Sequence, residues 1–148
     1  MYSERVRNVI QRKKTLVARS TTTVQAAAEL MARKKAGAVL VVDDGRLVGI
    51  VTERDVVFRV VAQRRDPQST LLAQVMTPDP ITVGPHELFG QALHLMHSNH
   101  FRHLPVVEDG EPIGIVSARS ALDPDLEEFI SEAQRRKSLQ PRRSNRSQ

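Results

Sequence analysis

The chain has 148 residues, of which 40% are hydrophobic, and its formal net charge at pH 7 is +5. This length suits one compact domain or two small halves with a shared core, and the absence of cysteine excludes disulfides, thiolate metal sites and thiol nucleophiles. No uninterrupted apolar run approaches the roughly 18 residues of a membrane span, and no signal-type apolar segment follows the basic N-terminus. We therefore expect a soluble, cytoplasmic protein that has no membrane partner.

The positive charge is concentrated at the two ends of the chain. Residues 1–14 carry five basic side chains and one acidic side chain, and residues 133–148 carry six basic and no acidic side chains. The stretch between them is therefore net negative. A basic tail could neutralise nucleic-acid phosphates, but no aromatic residue lies among its arginines to stack on bases. We expect a disordered tail over 138–148 and consider nucleic-acid binding the less favoured alternative.

The first elements in chain order are a short helix and a β-α-β-β-α unit. Ser3 can cap a helix within residues 1–14, and its apolar face should pack on the unit that follows. Within residues 15–70 the pattern predicts a strand, a capped helix and two strands joined by an Asp44-Gly45 turn. A second helix is predicted from Thr52 to Gln63.

The same pattern then occurs a second time, 65 residues later. This offset carries Gly49 to Gly114 and the Asp44-Gly45 turn to Asp109-Gly110, without a gap. A linker with two prolines, residues 71–80, should be extended and should separate the first repeat from a second repeat over 81–122, which begins at Ile81. A C-terminal helix over 123–137 and the basic tail complete the chain.

A hydroxyl and a carboxylate occur together at the end of the second hairpin strand. Thr52 and Asp55 are three residues apart, so in a first helical turn they face the same way. A hydroxyl with free backbone N–H groups can accept a phosphate while the carboxylate accepts hydrogen bonds from sugar hydroxyls. Thr-x-x-Asp is also an ordinary capping box, and the residues alone leave both interpretations open.

Together these features resemble a family, the CBS (cystathionine β-synthase) domains, which commonly occur in pairs. The resemblance covers about residues 15–121 and is carried by Gly49 to Asp55, the linker from Val75 to Pro78, and Arg102 to Val107. It implies an α+β, sandwich-like fold in which two βαββα repeats are related by a pseudo-twofold axis. It further implies clefts between the repeats for adenosyl ligands, and a homodimer of two such pairs.

The resemblance also implies where a ligand would lie. AMP, ADP or ATP is the expected regulatory ligand, with S-adenosylmethionine or NAD less favoured and no required cofactor. Thr52 and Arg54 would meet the phosphate and Asp55 the ribose, while backbone at Gly37, Ala38 and Val39 would line the adenine. A weaker second site would comprise Arg102, His103, Pro105 and Ser117, because Ser120 stands where the ribose carboxylate is expected.

Neither metal binding nor catalysis is predicted. All five histidines, His86, His94, His97, His100 and His103, fall in the second repeat, but their helical projection does not converge on one point. The chain has no Gly-x-Ser-x-Gly elbow and no phosphate-binding loop of the Walker type. We expect a non-enzymatic sensor that acts in trans on a protein partner. The alternative is an interaction scaffold whose clefts hold no ligand.

Overall fold

Helices and strands alternate in the computed structural model, which describes residues 2–10, 15–121 and 136. This mixture confirms the predicted α+β class. The predicted C-terminal helix (123–137) and tail (138–148) lie outside the described residues, apart from Arg136. The first repeat contains β1 (Val17–Ala18), α1 (Val24–Lys34), β2 (Ala38–Asp43), β3 (Arg46–Thr52), α2 (Glu53–Asp55) and a π-helix (Val56–Val61). Next come α3 (Leu72–Val75), β4 (Thr77–Pro78), α4 (Phe89–Ser98), β5 (His103–Glu108), β6 (Glu111–Ser117) and a 3-10 helix (Ala118–Ala121).

The two hairpins are built alike. Asp44 and Gly45 have φ angles of 52° and 76°, and Asp109 and Gly110 have 53° and 82°. Positive φ at both central residues defines the type I′ turn, whose twist matches that of the flanking strands. In each hairpin the pairing register shifts at the same place, between Val41 and Val42 in one and 65 residues later in the other. The duplication predicted from the sequence is therefore confirmed in the strand pairing.

The sheets differ more than the hairpins do. The first has the order β1-β2-β3-β4, and the second consists of β5 and β6. The strand predicted to open the second repeat at Ile81 is reduced to one parallel bridge, Val83 to Val106. The linker upstream is not wholly extended, because it contains α3, and β4 joins the first repeat by pairing Pro78 with Gly49. A Cβ at Gly49 would overlap the Met76 side chain, so glycine permits this crossing.

The second helix of the first repeat also departs from the prediction. It is α-helical only over Glu53–Asp55 and continues as the π-helix Val56–Val61, so it ends before the predicted Gln63. Four of the six π-helical residues are valine, whose β-branched side chain weakens the preference for α-helix. In this geometry Val57 and Phe58 remain 52% and 53% exposed.

Over the described residues 2–10, the N-terminal segment differs from the helix predicted to pack on the first repeat. Its helical part there is a 3-10 turn, Val6–Asn8, and this segment packs on the second repeat. Phe89 N donates to Glu4 O at 2.8 Å, and Gly90 N donates to Tyr2 O at 3.0 Å. A Cβ at Gly90 would lie 3.2 Å from that Tyr2 oxygen, so the close backbone approach depends on glycine.

Each repeat has its own core, and a third apolar cluster joins them. Successive side chains of a strand point to opposite faces, so Val39 and Val41 pack under α1 while Leu40 faces the other way. Leu40 meets Ile50 and, from the second repeat, Ile115. Strands β2 and β3 of the first repeat therefore pack against β6 of the second, and two cavities lie beside this junction.

Candidate functional site

Two cavities lie between the repeats. The first cavity, of about 760 Å³, is lined by Thr52, Arg54 and Asp55 of the first repeat and by Arg102, His103 and Pro105 of the second. The second cavity, of about 1050 Å³, is lined by Gly37 and Lys35 of the first repeat and by Ser117 and Arg119 of the second. Small-molecule sites commonly enclose about 300–1,000 Å³, so both cavities are large enough for a nucleotide-sized ligand.

Thr52 and Asp55 form a capping box at the first cavity. Asp55 Oδ2 accepts hydrogen bonds from Thr52 N at 2.8 Å and from Thr52 Oγ1 at 3.2 Å, and Thr52 Oγ1 accepts one from Asp55 N at 3.3 Å. The structural role foreseen for the pair is therefore present. It does not exclude a ligand role, because a carboxylate has about four lone-pair positions and Thr52 occupies only some of them.

The second oxygen of Asp55 faces a cation. Asp55 Oδ1 lies 3.5 Å from Arg59 Nε, and Arg59 Nη1 donates to Val75 O at 3.0 Å and to Met76 O at 3.3 Å. Arg59 thus ties the carboxylate to the linker between the repeats. The sequence prediction omitted this residue, although the i,i+4 spacing from Asp55 is the recognised signal for such a pair.

Arg54 also lies at the first cavity, and its position depends on an aromatic ring. Its guanidinium carbon is 4.9 Å from the centroid of Phe58, within the range of a cation–π interaction. Phe58 itself lines the cavity. The sequence prediction omits this residue, because a single phenylalanine in a helix carries no local signal for a ligand cavity.

The structure distributes the predicted site residues over the two cavities differently from the prediction. Gly37, expected beside Thr52, lines the second cavity, whereas Arg102 and His103 line both cavities. Ala38 and Val39 are only 2% and 0% exposed and line neither cavity. This grouping arises because the sheets of the two repeats pack against each other. The start of β5 then lies near the end of β3 at the first cavity, and the start of β2 lies near the end of β6 at the second.

His103 forms part of the wall that separates the cavities. Its Nε2 would lie 3.1 Å from a Cβ at Gly37, and Glu53 Oε1 would lie 3.2 Å from the same point. Burial is the main cause that lowers the pKa of His103 below its ordinary value, and it is assisted by Arg102 and opposed by Glu53. The imidazole is therefore held in its neutral form more strongly than in water.

Ser117 occupies the place in the second cavity that Thr52 has in the first. Its side chain is 6% exposed, and among the described residues its Oγ has no hydrogen-bond partner. The local backbone is otherwise repeated: Ala118 N donates to Arg102 O at 2.7 Å, as Glu53 N donates to Gly37 O at 3.0 Å. The sequence explains the contrast, since the residue three positions after Ser117 is serine and not aspartate.

The described part of the chain contains neither a cluster of metal-ligating side chains nor a membrane-spanning helix. Within residues 2–10, 15–121 and 136, no group of three or more His, Cys, Asp or Glu side chains could hold a metal ion. His86 instead lies 3.5 Å from Glu108, and His94 lies 3.5 Å from the hydroxyl of Ser98. None of the helices in this part of the structure is both long and apolar enough to cross a bilayer.

The fold and its two cavities define a tandem α+β module with clefts at the junction of its repeats. The chain belongs to the CBS domain family, whose model matches residues 6–62 and 72–125. The recognition made from the motifs is thereby confirmed.

Several relatives are similar over most of this chain. The CBS domain-containing protein CBSCBSPB2 of Arabidopsis thaliana is 40% identical over 120 residues, which is 80% of this chain and 22% of that protein. The chain therefore spans well under two thirds of this relative. A solved structure with CBS domains from Burkholderia ambifaria MC40-6 is 35% identical, with a TM-score of 0.71, covering 78% of this chain and 85% of that one. The CBS domain protein PAE2072 from Pyrobaculum aerophilum, solved in complex with AMP, is 25% identical with a TM-score of 0.75, covering 87% of this chain and 99% of that one.

Proposed function

We propose that this protein is a non-catalytic regulator that binds an adenine nucleotide, AMP, ADP or ATP, in the first cavity. The observation that carries the proposal is the Thr52–Asp55 pair on a nucleotide-sized cavity that also holds Arg54 and Arg102. The AMP complex of the Pyrobaculum aerophilum relative supports the choice of ligand. S-adenosylmethionine and NAD are less favoured, because a cavity with two guanidinium groups suits a compact phosphate.

The groups of the first cavity complement the parts of a nucleotide. The Asp55 carboxylate accepts hydrogen bonds, which suits it to the two ribose hydroxyls. Arg54 donates and suits the phosphate, with Arg102 on the facing repeat as a second cation. The Thr52 hydroxyl can also donate to the phosphate once it turns away from Asp55 Oδ2. Ile50, Ile81 and Pro105 supply apolar wall for the base, the role that was first assigned to the backbone at Gly37, Ala38 and Val39.

A ligand in this cavity bridges the two repeats and can therefore bias their packing. Coupling of this kind is typically about 1–3 kcal/mol, and it cannot exceed the difference in ligand affinity between the two states. We propose that a separate protein partner recognises this change in packing, so that the regulation acts in trans.

We also propose that the protein forms a homodimer. The side chains of Val57, Phe58 and Val61 are 52%, 53% and 66% exposed and form an apolar helix face that a second copy could cover.

Isothermal titration calorimetry tests the proposal. The full chain is titrated with AMP, ADP, ATP, NAD and S-adenosylmethionine, with adenosine and GMP as controls for the phosphate and the base. We expect saturable heat with at least one adenine nucleotide and weaker binding of both controls. If none of the adenosyl compounds binds at millimolar concentration, the sensor function is refuted. The alternative hypothesis, an interaction scaffold, then remains.

A further inference from the structure

The second cavity differs from the first in the charge of its lining. Three cationic side chains, Lys35, Arg102 and Arg119, line it against one carboxylate, Glu53. The first cavity has two arginines against three carboxylates, those of Glu53, Asp55 and Asp79. Clefts lined mainly by one sign of charge concentrate ions of the opposite sign. The second cavity therefore has the larger excess of positive charge and should attract a small anion more strongly.

The hydroxyl of Ser117 gives this cavity an unsatisfied polar group. It is buried and has no partner among the described residues, whereas the equivalent Thr52 hydroxyl is bonded to Asp55. A buried hydroxyl without a hydrogen bond is costly, and such groups in native proteins are rare enough to require an explanation. An anionic oxygen accepting from Ser117 Oγ would supply the missing partner.

The groups that would hold a ribose are absent from the part of this cavity that the structure describes. Its one described carboxylate, Glu53, lies on the opposite repeat from Ser117, and the sequence has Ser120 where the first repeat has Asp55. A serine hydroxyl cannot accept from two neighbouring sugar hydroxyls as a carboxylate does. The cations and the free hydroxyl remain, and both suit phosphate oxygens.

We propose that the second cavity binds a phosphate-bearing small anion that needs no nucleoside, held by Ser117, Lys35, Arg102 and Arg119. This site is distinct from the proposed nucleotide site and does not depend on it, although Arg102 lines both cavities. The two sites would thus differ in ligand class because one aspartate of the duplicated motif is missing from the second copy.

The test uses inorganic pyrophosphate as the probe and the full chain as the receptor. Calorimetric titrations are run at ionic strength matched with sodium chloride, for the wild type, Ser117→Ala, Arg119→Gln and Asp55→Ala. We expect saturable binding to the wild type and at least about a tenfold loss of affinity in Ser117→Ala, the scale of a hydrogen bond to a charged group. Arg119→Gln should also bind more weakly, and Asp55→Ala should bind at least as well as the wild type.

Stability separates loss of the site from loss of the fold. Ser117→Ala removes a hydroxyl that has no partner in the described part of the chain, so without ligand its melting temperature should equal or exceed that of the wild type. The proposal is overturned if pyrophosphate does not bind the wild type, or if its binding disappears when the chloride concentration is matched. It is also overturned if Ser117→Ala and Arg119→Gln both bind normally. An AMP titration of the same samples reports separately on the first cavity.

Discussion

Replacing Asp55 by alanine separates the two roles that its carboxylate has in this structure. In the free protein, Asp55 Oδ2 accepts from Thr52 N at 2.8 Å, and Oδ1 lies 3.5 Å from Arg59 Nε. If Asp55 also holds the ribose, the variant loses both a helix cap and a ligand contact. If Asp55 is only a cap, the variant loses stability alone.

The expected size of each effect follows from these contacts. Asp55 is the N3 residue of this capping box, so the variant removes the acceptor of Thr52 N; the loss of such a hydrogen bond typically costs about 0.5–1.5 kcal/mol, a few degrees in Tm for a chain of this size. The pair with Arg59 adds little, because the Arg59 side chain is 50% exposed and such pairs contribute about 0.3–0.5 kcal/mol. Hydrogen bonds from the ribose to a charged carboxylate contribute about 1.5–3 kcal/mol, so Kd should rise about 10- to 150-fold.

The assay is calorimetric titration of AMP at 25 °C, paired with thermal unfolding of the same samples. Thr23→Ala is the matched control, because Thr23 Oγ1 accepts from Ala26 N at 3.1 Å and caps α1 without lining either cavity. It should lose a similar amount of stability and bind AMP normally. If Asp55→Ala and Thr23→Ala lose similar stability and both keep the wild-type Kd, the carboxylate is a cap and the proposed site is refuted.

Three further predictions address the fold and the wall between the cavities. Gly37→Ala would place a Cβ 3.1 Å from His103 Nε2, so this half-buried wall must shift by a few tenths of an ångström to admit it. Urea unfolding should reveal a loss of about 1 kcal/mol relative to Gly84→Ala, whose Cβ would have no neighbour nearer than 3.8 Å; equal stabilities would refute this packing. The pKa of His103 is lowered in the folded chain. At pH values below the ordinary histidine pKa of 6.5, the unfolded chain therefore binds a proton at this imidazole more readily than the folded chain does. Stability should therefore fall as the pH drops from about 7 to about 5, and His103→Asn should flatten that slope; an unchanged slope would contradict it. Gly114→Ala should lower the free energy of unfolding, because its Cβ would overlap Ile10 Cγ2. The double variant with Ile10→Ala should recover part of that loss; if the two losses simply add, the contact is refuted.

Local features of this fold could be predicted from the sequence because they depend on neighbouring residues. The Asp44-Gly45 and Asp109-Gly110 turns adopt positive φ in both hairpins, as their residue types favour. The capping geometry of Thr52 and Asp55 follows from their spacing. The offset of 65 residues predicts the second turn, but it does not repeat the capping pair, because Ser120 stands at the position of Asp55.

Features that depend on distant packing could not be predicted in the same way. The spacing of Val6, Val9 and Ile10 indicates an apolar face but does not say which repeat covers it, and the structure packs them with Phe89 of the second repeat. Likewise, Gly37 and Thr52 are neighbours across a strand pair, yet they line different cavities. That division arises from the way the two sheets meet, which no local pattern encodes.

The repeated backbone contacts explain how one duplicated motif can serve two ligand classes. In both repeats the end of the hairpin is held by a main-chain bond, Glu53 N to Gly37 O in one and Ala118 N to Arg102 O in the other. Because main-chain groups make these bonds, the side chain at the position of Asp55 can change without removing them. Where aspartate is retained, it satisfies Thr52 and offers further acceptor positions. Where serine replaces it, Ser117 has no partner among the described residues and lies beside cations. This difference is why we propose a sugar phosphate for one cavity and a bare phosphate group for the other.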